Sequence, residues 1–231
     1  MLVDQKVEPH DFAIVVIGAS YGGVEAMQKL FAPLPSTIPA AIFTVLHVGP
    51  HPSQFPDLLS DCSGLPARHA RHGEPIRAGN IYVAPPDHHL LVRRGHVSLS
   101  RGPRVNWARP AVDPLFRSAA KTYGAGVVGI VLTGRLNDGT AGLFEVKRHG
   151  GITIVQDPGD ALCPAMPASA LKHVEVDHCI PLGSMPRILL QVCKDIASRS
   201  KESSTSPKTS CIRRSSPFQN QRLTYSADCS P

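Results

Sequence analysis

Long apolar runs alternate with amphipathic stretches over most of the chain. The runs are continuous, which is typical of parallel strands buried on both faces. They lie at positions 13–17, 40–46, 127–132 and 152–155. Between them, apolar side chains recur at helical spacing from Val24 to Leu34 and from Val112 to Tyr123. This alternation predicts an α/β fold in three layers, built on a mostly parallel, doubly wound sheet.

The segment from 80 to 100 departs from this pattern. It contains short apolar stretches separated by turn residues, with Arg94-Gly95 between the last two. Such a pattern predicts short strands that are joined by a hairpin turn at the glycine. We therefore expect an antiparallel hairpin excursion from the parallel sheet.

Three regions can be distinguished along the 231 residues. Residues 12–197 carry the strand and helix patterns and are numerous enough for one sizeable core, the predicted main domain. Residues 1–11 are predicted to be an N-terminal extension. Residues 198–231 are rich in Ser, Thr, Lys and Pro and have almost no apolar period, so we expect a disordered basic tail.

Charge and cysteine content narrow the function classes. The net charge is +6, but residues 198–231 hold six Lys and Arg against two acidic residues, which leaves only +2 for the rest of the chain. Nucleic-acid binding is therefore not favoured. The six cysteines form no C-x-x-C pair, which predicts a reduced, cytoplasmic protein without a zinc or redox motif. No secretory signal and no apolar run near the ~20 residues of a membrane span is found, so membrane insertion is not expected.

A serine stands between the first predicted strand and the first predicted helix, in Gly18-Ala19-Ser20-Tyr21-Gly22. Glycines permit the sharp turn that exposes a nucleophilic hydroxyl at the sheet edge, with helix N–H groups nearby for an oxyanion. A phosphate cradle for a dinucleotide uses a similar turn, but it needs an acidic residue about 20 residues further on. No Asp or Glu occurs between positions 26 and 56.

Ser20, His47 and Asp138 each follow a predicted strand at its carboxyl end. Reactive groups in open α/β sheets gather outside these ends, so we expect the three side chains to meet. A serine, an imidazole and a carboxylate suit acyl transfer, as nucleophile, general base and orienting acid. Asp113 is the alternative partner of His47, but the turn that ends at Gly139 favours Asp138.

The remaining histidines raise the hypothesis of a metal site. Those considered are His51, His69, His72, His88 and His89. Because their spacing matches no pattern of Cys or carboxylate ligands, no metal site is predicted.

A series of motifs extends over residues 12–190. They are Val16-Ile17-Gly18-Ala19-Ser20-x-Gly22-Gly23, His47 after its strand, Tyr82-Val83-Ala84-Pro85-Pro86-Asp87-His88-His89-Leu90, Arg109-Pro110-Ala111-Val112-Asp113-x-Leu115-Phe116, Leu132-Thr133-Gly134-x-x-Asn137-Asp138-Gly139, and Gln156-Asp157-Pro158 leading to Met166-Pro167. In this order they resemble the catalytic domain of the CheB-type chemotaxis protein-glutamate methylesterases.

The resemblance implies hydrolysis of glutamyl methyl esters, and deamidation of particular glutamines, on the cytoplasmic helices of methylated chemoreceptors. It implies Ser20 as the nucleophile, His47 as general base and acid, and Asp138 as the residue that orients His47. The backbone N–H groups of Tyr21 and Arg135 are expected to hold the oxyanion. No metal or organic cofactor is implied.

The chain departs from the usual family pattern beside these residues. Tyr21 stands where a small hydroxyl residue is usual, and Arg135-Leu136 replaces a methionine-glycine pair. Leu46-His47-Val48-Gly49 stands in place of Gln-His-Met-Pro. A degenerate methylesterase or a non-catalytic chemotaxis scaffold is therefore the alternative function.

Control of the activity is a second departure. Only 19 residues precede Ser20, whereas the receiver domain that usually regulates such enzymes needs about 100. We therefore expect that the enzyme is constitutively open, that its regulator is a separate protein such as a response regulator or a methyltransferase, or that another partner binds its tail.

Overall fold

The computed structural model describes residues 11–47 and 53–205. A parallel sheet of seven strands forms the centre of the described part, and a separate hairpin of two antiparallel strands packs beside it. The strands are β1 (Ala13–Ala19), β2 (Ala40–Leu46), β3 (Ala67–His69), β4 (Asn80–Val83), β5 (His89–Arg93), β6 (His96–Ser100), β7 (Val127–Val131), β8 (Ile152–Gln156) and β9 (His178–Ile180). The helices are α1 (Gly23–Phe31), α2 (Phe55–Ser63), α3 (Val112–Tyr123), α4 (Thr140–Arg148), α5 (Ala165–His173) and α6 (Met185–Thr205).

The order of strands in the sheet is β3-β4-β2-β1-β7-β8-β9. The chain first builds the sheet from β1 towards one edge and then returns beside β1 with β7, so the direction of winding reverses between these two strands. In register, Ala19 lies opposite Leu46 of β2, and Gly18 lies opposite Val131 of β7. The carboxyl ends of the three central strands therefore meet at a topological switch point.

Each face of the sheet buries its own apolar cluster. On one face α1, α2 and α6 cover residues such as Val15 and Ile130, and on the other α3, α4, α5 and the hairpin cover residues such as Val16 and Phe43. Successive residues of a strand point to opposite faces, so a continuous apolar run serves both clusters. The predicted fold class, a doubly wound α/β sheet in three layers, is confirmed.

The predicted hairpin is β5–β6, and its turn contains Gly95 with a φ of +74°. It lies outside the main sheet and is fastened to α3 by hydrogen bonds. The Val92 N–H donates to Ser118 Oγ, and the Gly95 N–H donates to Tyr123 Oη, both over 2.9 Å. The predicted antiparallel excursion is confirmed. The hairpin is attached to α3, and both pack on the same face of the main sheet.

α6 extends past the predicted boundary between residues 197 and 198 and continues to Thr205. Val192 and Ile196 pack against the sheet, and the next turn continues the helix, with the Ser200 hydroxyl donating to the Ile196 carbonyl. The rest of the predicted tail, 206–231, lies outside the described residues, as do residues 1–10 of the predicted extension. In the described part of the chain, no helix combines the length and apolarity needed to cross a membrane.

Gly18 provides a test of how the central strand supports α3. A Cβ at this position would lie 2.3 Å from Val112 Cγ1, so we expect Gly18→Ala to lower the free energy of unfolding by about 1–3 kcal/mol through overpacking. Urea unfolding measures the change. Gly126→Ala is the matched control, because a Cβ there meets no atom within 4 Å. Equal stabilities of the two variants would contradict the prediction.

Candidate active site

Ser20 occupies the turn between β1 and α1. Its N–H donates to the Thr133 carbonyl over 3.0 Å, so the turn is fastened to the chain that continues from β7. Gly22 has a φ of +78°, which favours glycine, and a Cβ on Gly134 would lie 2.9 Å from Ser20 Cβ. The glycines therefore permit both the turn and the close approach of the β7 loop to Ser20.

His47 follows β2 directly, and its N–H donates to the Ala19 carbonyl over 3.3 Å. Its ring Nε2 lies 2.8 Å from Asp138 Oδ2. The side chain of His47 is 21% exposed, whereas that of Asp138 is 2% exposed. The imidazole thus has one nitrogen against a buried carboxylate and remains accessible on its other side.

Asp138 lies in the loop between β7 and α4. Its Oδ1 accepts hydrogen bonds from the N–H groups of Asp113 and Gly139 and from Asn106 Nδ2, and its Oδ2 accepts one from the Val112 N–H in addition to that from His47. Burial opposes ionisation, but the hydrogen bonds from His47, Val112 and Asn106 outweigh it, so the pKa of Asp138 lies below its usual value. The carboxylate is therefore ionised where it meets the imidazole.

Asp113, the alternative partner of His47, binds elsewhere. Its Oδ1 accepts hydrogen bonds from the N–H groups of Gly139 and Gly142 at the start of α4, over 3.1 and 2.6 Å. Burial, together with the nearby charge of Asp138, raises the pKa of Asp113 despite these bonds. Of the two aspartates, it is Asp138 that contacts His47.

Ser20 and His47 line one cleft of about 320 Å³, together with Tyr21 and Leu162. No hydrogen bond joins the Ser20 hydroxyl to His47 within the described part of the chain. The structure therefore brings His47 and Asp138 into direct contact and places Ser20 on the wall of the same cleft.

Tyr21, one of the residues that depart from the family pattern, lines this cleft, and Arg135 lies against it. The Arg135 guanidinium carbon lies 4.9 Å from the centroid of the Tyr21 ring, a cation–π contact. The Tyr21 side chain is 54% exposed, and Leu136 is 67% exposed with a φ of +65°. Leu162 is also exposed and lies against Gly22. The rim is thus apolar and cationic.

Two supporting residues could not be singled out from the sequence. Thr133 donates its hydroxyl to the Tyr21 carbonyl and accepts a hydrogen bond from the Cys163 N–H, so it links the serine turn to the chain before α5. Asn106 reaches Asp138 from the loop that follows the hairpin. The sequence marks Thr133 only as part of a turn with Gly134. No local pattern connects Asn106 with the site.

The histidines that were considered as metal ligands make other contacts. His69 and His89 use Nε2 against the carbonyls of Ser53 and Pro103, and His72 Nδ1 accepts the Leu99 N–H. His51 lies outside the described residues. Within residues 11–47 and 53–205, no group of three or more His, Cys, Asp or Glu side chains could hold a metal ion.

The sequence and the fold of this chain both match a known protein family. The family model described as "CheB methylesterase" matches residues 15–189. The chain belongs to the CheB methylesterase family. The crystal structure of the Thermotoga maritima CheB methylesterase catalytic domain matches with a TM-score of 0.75 and 34% sequence identity, covering 78% of this chain and 98% of that one. The resemblance predicted from the motifs is thereby confirmed.

Relatives in the CheB methylesterase family differ in length. The putative protein-glutamate methylesterase/protein-glutamine glutaminase of Leptospira interrogans is 34% identical over 184 residues, which cover 79% of this chain and 95% of the relative. The Hydrogenovibrio crunogenus protein-glutamate methylesterase/protein-glutamine glutaminase is 37% identical over 198 residues, 82% of this chain but only 53% of the relative. The predicted class of enzyme, a protein-glutamate methylesterase, is therefore confirmed through the family.

The lowered pKa of Asp138 predicts that the stability of the fold depends on pH. A carboxylate whose pKa is lower in the folded state stabilises the fold above about pH 4, the usual Asp pKa, and this contribution is lost as the pH falls further. We expect Asp138→Asn to lower the free energy of unfolding by about 2 kcal/mol at neutral pH. The deficit should shrink at acidic pH.

Urea unfolding of both proteins at a series of pH values measures this deficit. Asp61→Asn is the control, because Asp61 is an exposed residue of α2, and its difference from wild type should stay small throughout. A deficit of Asp138→Asn that is constant from neutral pH to about pH 3 would show that the ionised carboxylate does not stabilise the fold.

Proposed function

We propose that Ser20, His47 and Asp138 form the catalytic triad of a serine hydrolase that demethylates glutamyl methyl esters on chemoreceptor cytoplasmic helices. The observation that carries the proposal is the 2.8 Å contact between His47 Nε2 and the buried Asp138 carboxylate, at a cleft that Ser20 also lines. The family membership of the chain supports the class of reaction.

The tautomer of His47 determines how the triad would work. An ionised Asp138 accepts a hydrogen bond from the N–H at Nε2, which leaves the lone pair of Nδ1 for the Ser20 hydroxyl. Ser20 Oγ then attacks the ester carbonyl while its proton moves to Nδ1. The tetrahedral intermediate collapses, the imidazolium protonates the leaving methoxide, and methanol departs.

Water completes the reaction through the same imidazole. His47 takes a proton from water, the hydroxide attacks the acyl-enzyme, and the glutamate carboxylate is released as Ser20 recovers its proton. With a glutamine substrate, ammonia leaves in place of methanol. The glutaminase activity that the names of the relatives include is therefore compatible with the same three residues. These steps need only the side chains and water.

Backbone donors at the cleft support oxyanion stabilisation. The N–H groups of Tyr21 and Arg135 make no hydrogen bond within the described residues. Tyr21 also stands just before α1, whose N-terminal dipole favours negative charge. We infer that these two N–H groups hold the oxyanion, because unpaired donors that are fixed before the reaction stabilise developing charge at little reorganisation cost.

The exposed rim suggests how a protein substrate is held. Tyr21 and Leu162 provide exposed apolar surface, and Arg135 provides a positive charge that suits a helix rich in glutamate. We infer a cytoplasmic partner, the methylated receptor helix, and regulation by a separate response regulator or methyltransferase.

Methanol release from a chemoreceptor fragment that carries glutamyl methyl esters tests the proposed function. We expect Ser20→Ala to abolish release and Asp138→Asn to lower kcat on the order of 10³ to 10⁴-fold, since the imidazole loses its orienting charge. Ser98→Ala, a substitution on β6, is the control and should keep full activity. Methanol release that persists in Ser20→Ala would contradict the triad.

A fluorophosphonate probe separates an enzyme from a scaffold without any receptor. The phosphorus atom bonds to an activated serine oxygen, fluoride leaves, and the hydroxyl proton passes to the base. Peptide mapping should find the label on Ser20. A folded protein that takes up no label and releases no methanol would instead be the non-catalytic scaffold, and a label on another residue would refute the assignment.

The stacked pair at the rim yields a prediction on substrate binding. Tyr21→Ala removes the exposed ring that Arg135 covers. If this stacked pair contacts the receptor helix, the loss of about 1 kcal/mol of binding should raise KM for the receptor fragment roughly fivefold, with little change in kcat. Tyr21→Phe keeps the ring and is the control. Unchanged KM in Tyr21→Ala would mean that the ring does not contact the receptor.

A further inference from the structure

Asn106 lies at the tip of a tight turn between the hairpin and α3. The Val105 and Ala108 backbones exchange two hydrogen bonds of 3.1 and 3.0 Å around the turn. Asn106 and Trp107, the two central residues, have φ values of +51° and +64°. Positive φ at both central positions is typical of a type I′ turn, in which asparagine is favoured at the first. The turn therefore fixes the backbone of Asn106 independently of its side chain.

The side chain of Asn106 joins two buried carboxylates. Its Nδ2 donates to Asp138 Oδ1 over 2.7 Å and to Asp113 Oδ2 over 2.9 Å. Asp138 and Asp113 are 2% and 4% exposed. An amide nitrogen has two hydrogens, so one Asn106 side chain can supply both bonds. It is the only side chain besides His47 that donates to Asp138 within the described part of the chain.

Asn106 lies between the protein surface and the two buried carboxylates. The residue as a whole is exposed, yet its amide reaches inward to carboxylates that are almost completely buried. On its outer side it lines a cavity of about 520 Å³, whose charged and titratable members are Asp113, Arg117, Glu145 and His173.

We propose that Asn106 is a positioning residue that holds the Asp138 carboxylate so that Oδ2 faces His47. Asp138 Oδ1 is fastened by Asn106 and by two backbone N–H groups, which leaves Oδ2 for the imidazole and the Val112 N–H. The inference rests on the proposed triad, since it concerns the orientation of the general base. It adds a fourth side chain, from a loop that neither strand pattern nor motif connected to the site.

Asn106→Gly is the principal variant, because glycine adopts positive φ freely and only the amide is lost. We expect kcat for methanol release to fall at least tenfold with KM changed less than twofold, and the rate of fluorophosphonate labelling at Ser20 to fall in parallel. A thermal melt should show a cooperative transition close to that of wild type.

Trp107→Gly is the matched control. It places a glycine at the neighbouring position of the same turn, where the side chain is 90% exposed. If a looser turn alone lowered activity, this variant would show the same loss of kcat and of labelling rate. We expect both to stay within twofold of wild type.

Asn106→Asp keeps the size and backbone preference but replaces the donor with a third carboxylate beside Asp113 and Asp138. We expect kcat to fall and the acidic limb of the kcat/KM profile to move to higher pH, because added negative charge favours a protonated imidazole at His47. The variant also keeps the test decisive if Asn106→Gly does not fold.

Two results would overturn the inference: kcat and labelling within twofold of wild type in Asn106→Gly, or equal losses in Asn106→Gly and Trp107→Gly. Failure of the proposed function has a different signature. In that case the wild-type protein itself releases no methanol, or Ser20→Ala still does, and the positioning role falls with the triad.

Discussion

A single carboxylate that is buried and charged constrains most of this structure. Removing the Asp138 carboxylate from water carries a desolvation penalty that must be offset by hydrogen bonds. The donors come from separate parts of the chain: the imidazole after β2, the turn before α3, the first residues of α3, and the residue after Asp138 itself. Satisfying one charge thus fixes the mutual positions of elements that are distant in sequence. The site is positioned by the same interactions that stabilise this corner of the fold.

The parallel sheet supplies the other half of the geometry. Ser20, His47 and Asp138 follow β1, β2 and β7, which are neighbours in the sheet although the chain visits four other strands between β2 and β7. Backbone hydrogen bonds continue past the strand ends, from Ser20 to Thr133 and from His47 to Ala19. The three side chains therefore depend on the register of long-range pairing. A shift of that register would separate them. Glycines are needed for a different reason, because the turns that carry these residues approach one another closely.

Sequence reasoning succeeded where the determinants are local. The buried runs of β1 and β2, the amphipathic stripe of α3 and the turn at Gly95 each carry their signal within a few residues. The short edge strands β3 and β9 were not predicted, because three residues at the edge of a sheet show no clear period. The last turns of α6 lie within the segment that was predicted as a tail, because a solvated helical turn resembles a polar tail in composition.

The same distinction applies to the candidate site. Ser20 and His47 stand directly after strands, and Asp138 lies in the loop after β7, so the rule for open α/β sheets points to all three. Asn106 follows no strand of the sheet, and its role depends on the folding of the 105–108 turn over two carboxylates. Tyr21 and Arg135 were visible as departures from the family pattern, but their stacking on each other required coordinates. Contacts between loops are decided by tertiary structure and leave no periodic signal.

The two aspartates show how neighbouring carboxylates acquire different roles. Both are buried, and Asn106 donates to both. Asp138 also receives the imidazole, and its pKa is lowered, whereas burial dominates at Asp113 and raises its pKa. The surroundings therefore favour the ionised form more strongly at the carboxylate that faces His47 than at Asp113, which fastens the start of α4. A neutral amide between them provides donors to both without adding charge, which a lysine or arginine at that point could not do without weakening the charge that orients the imidazole.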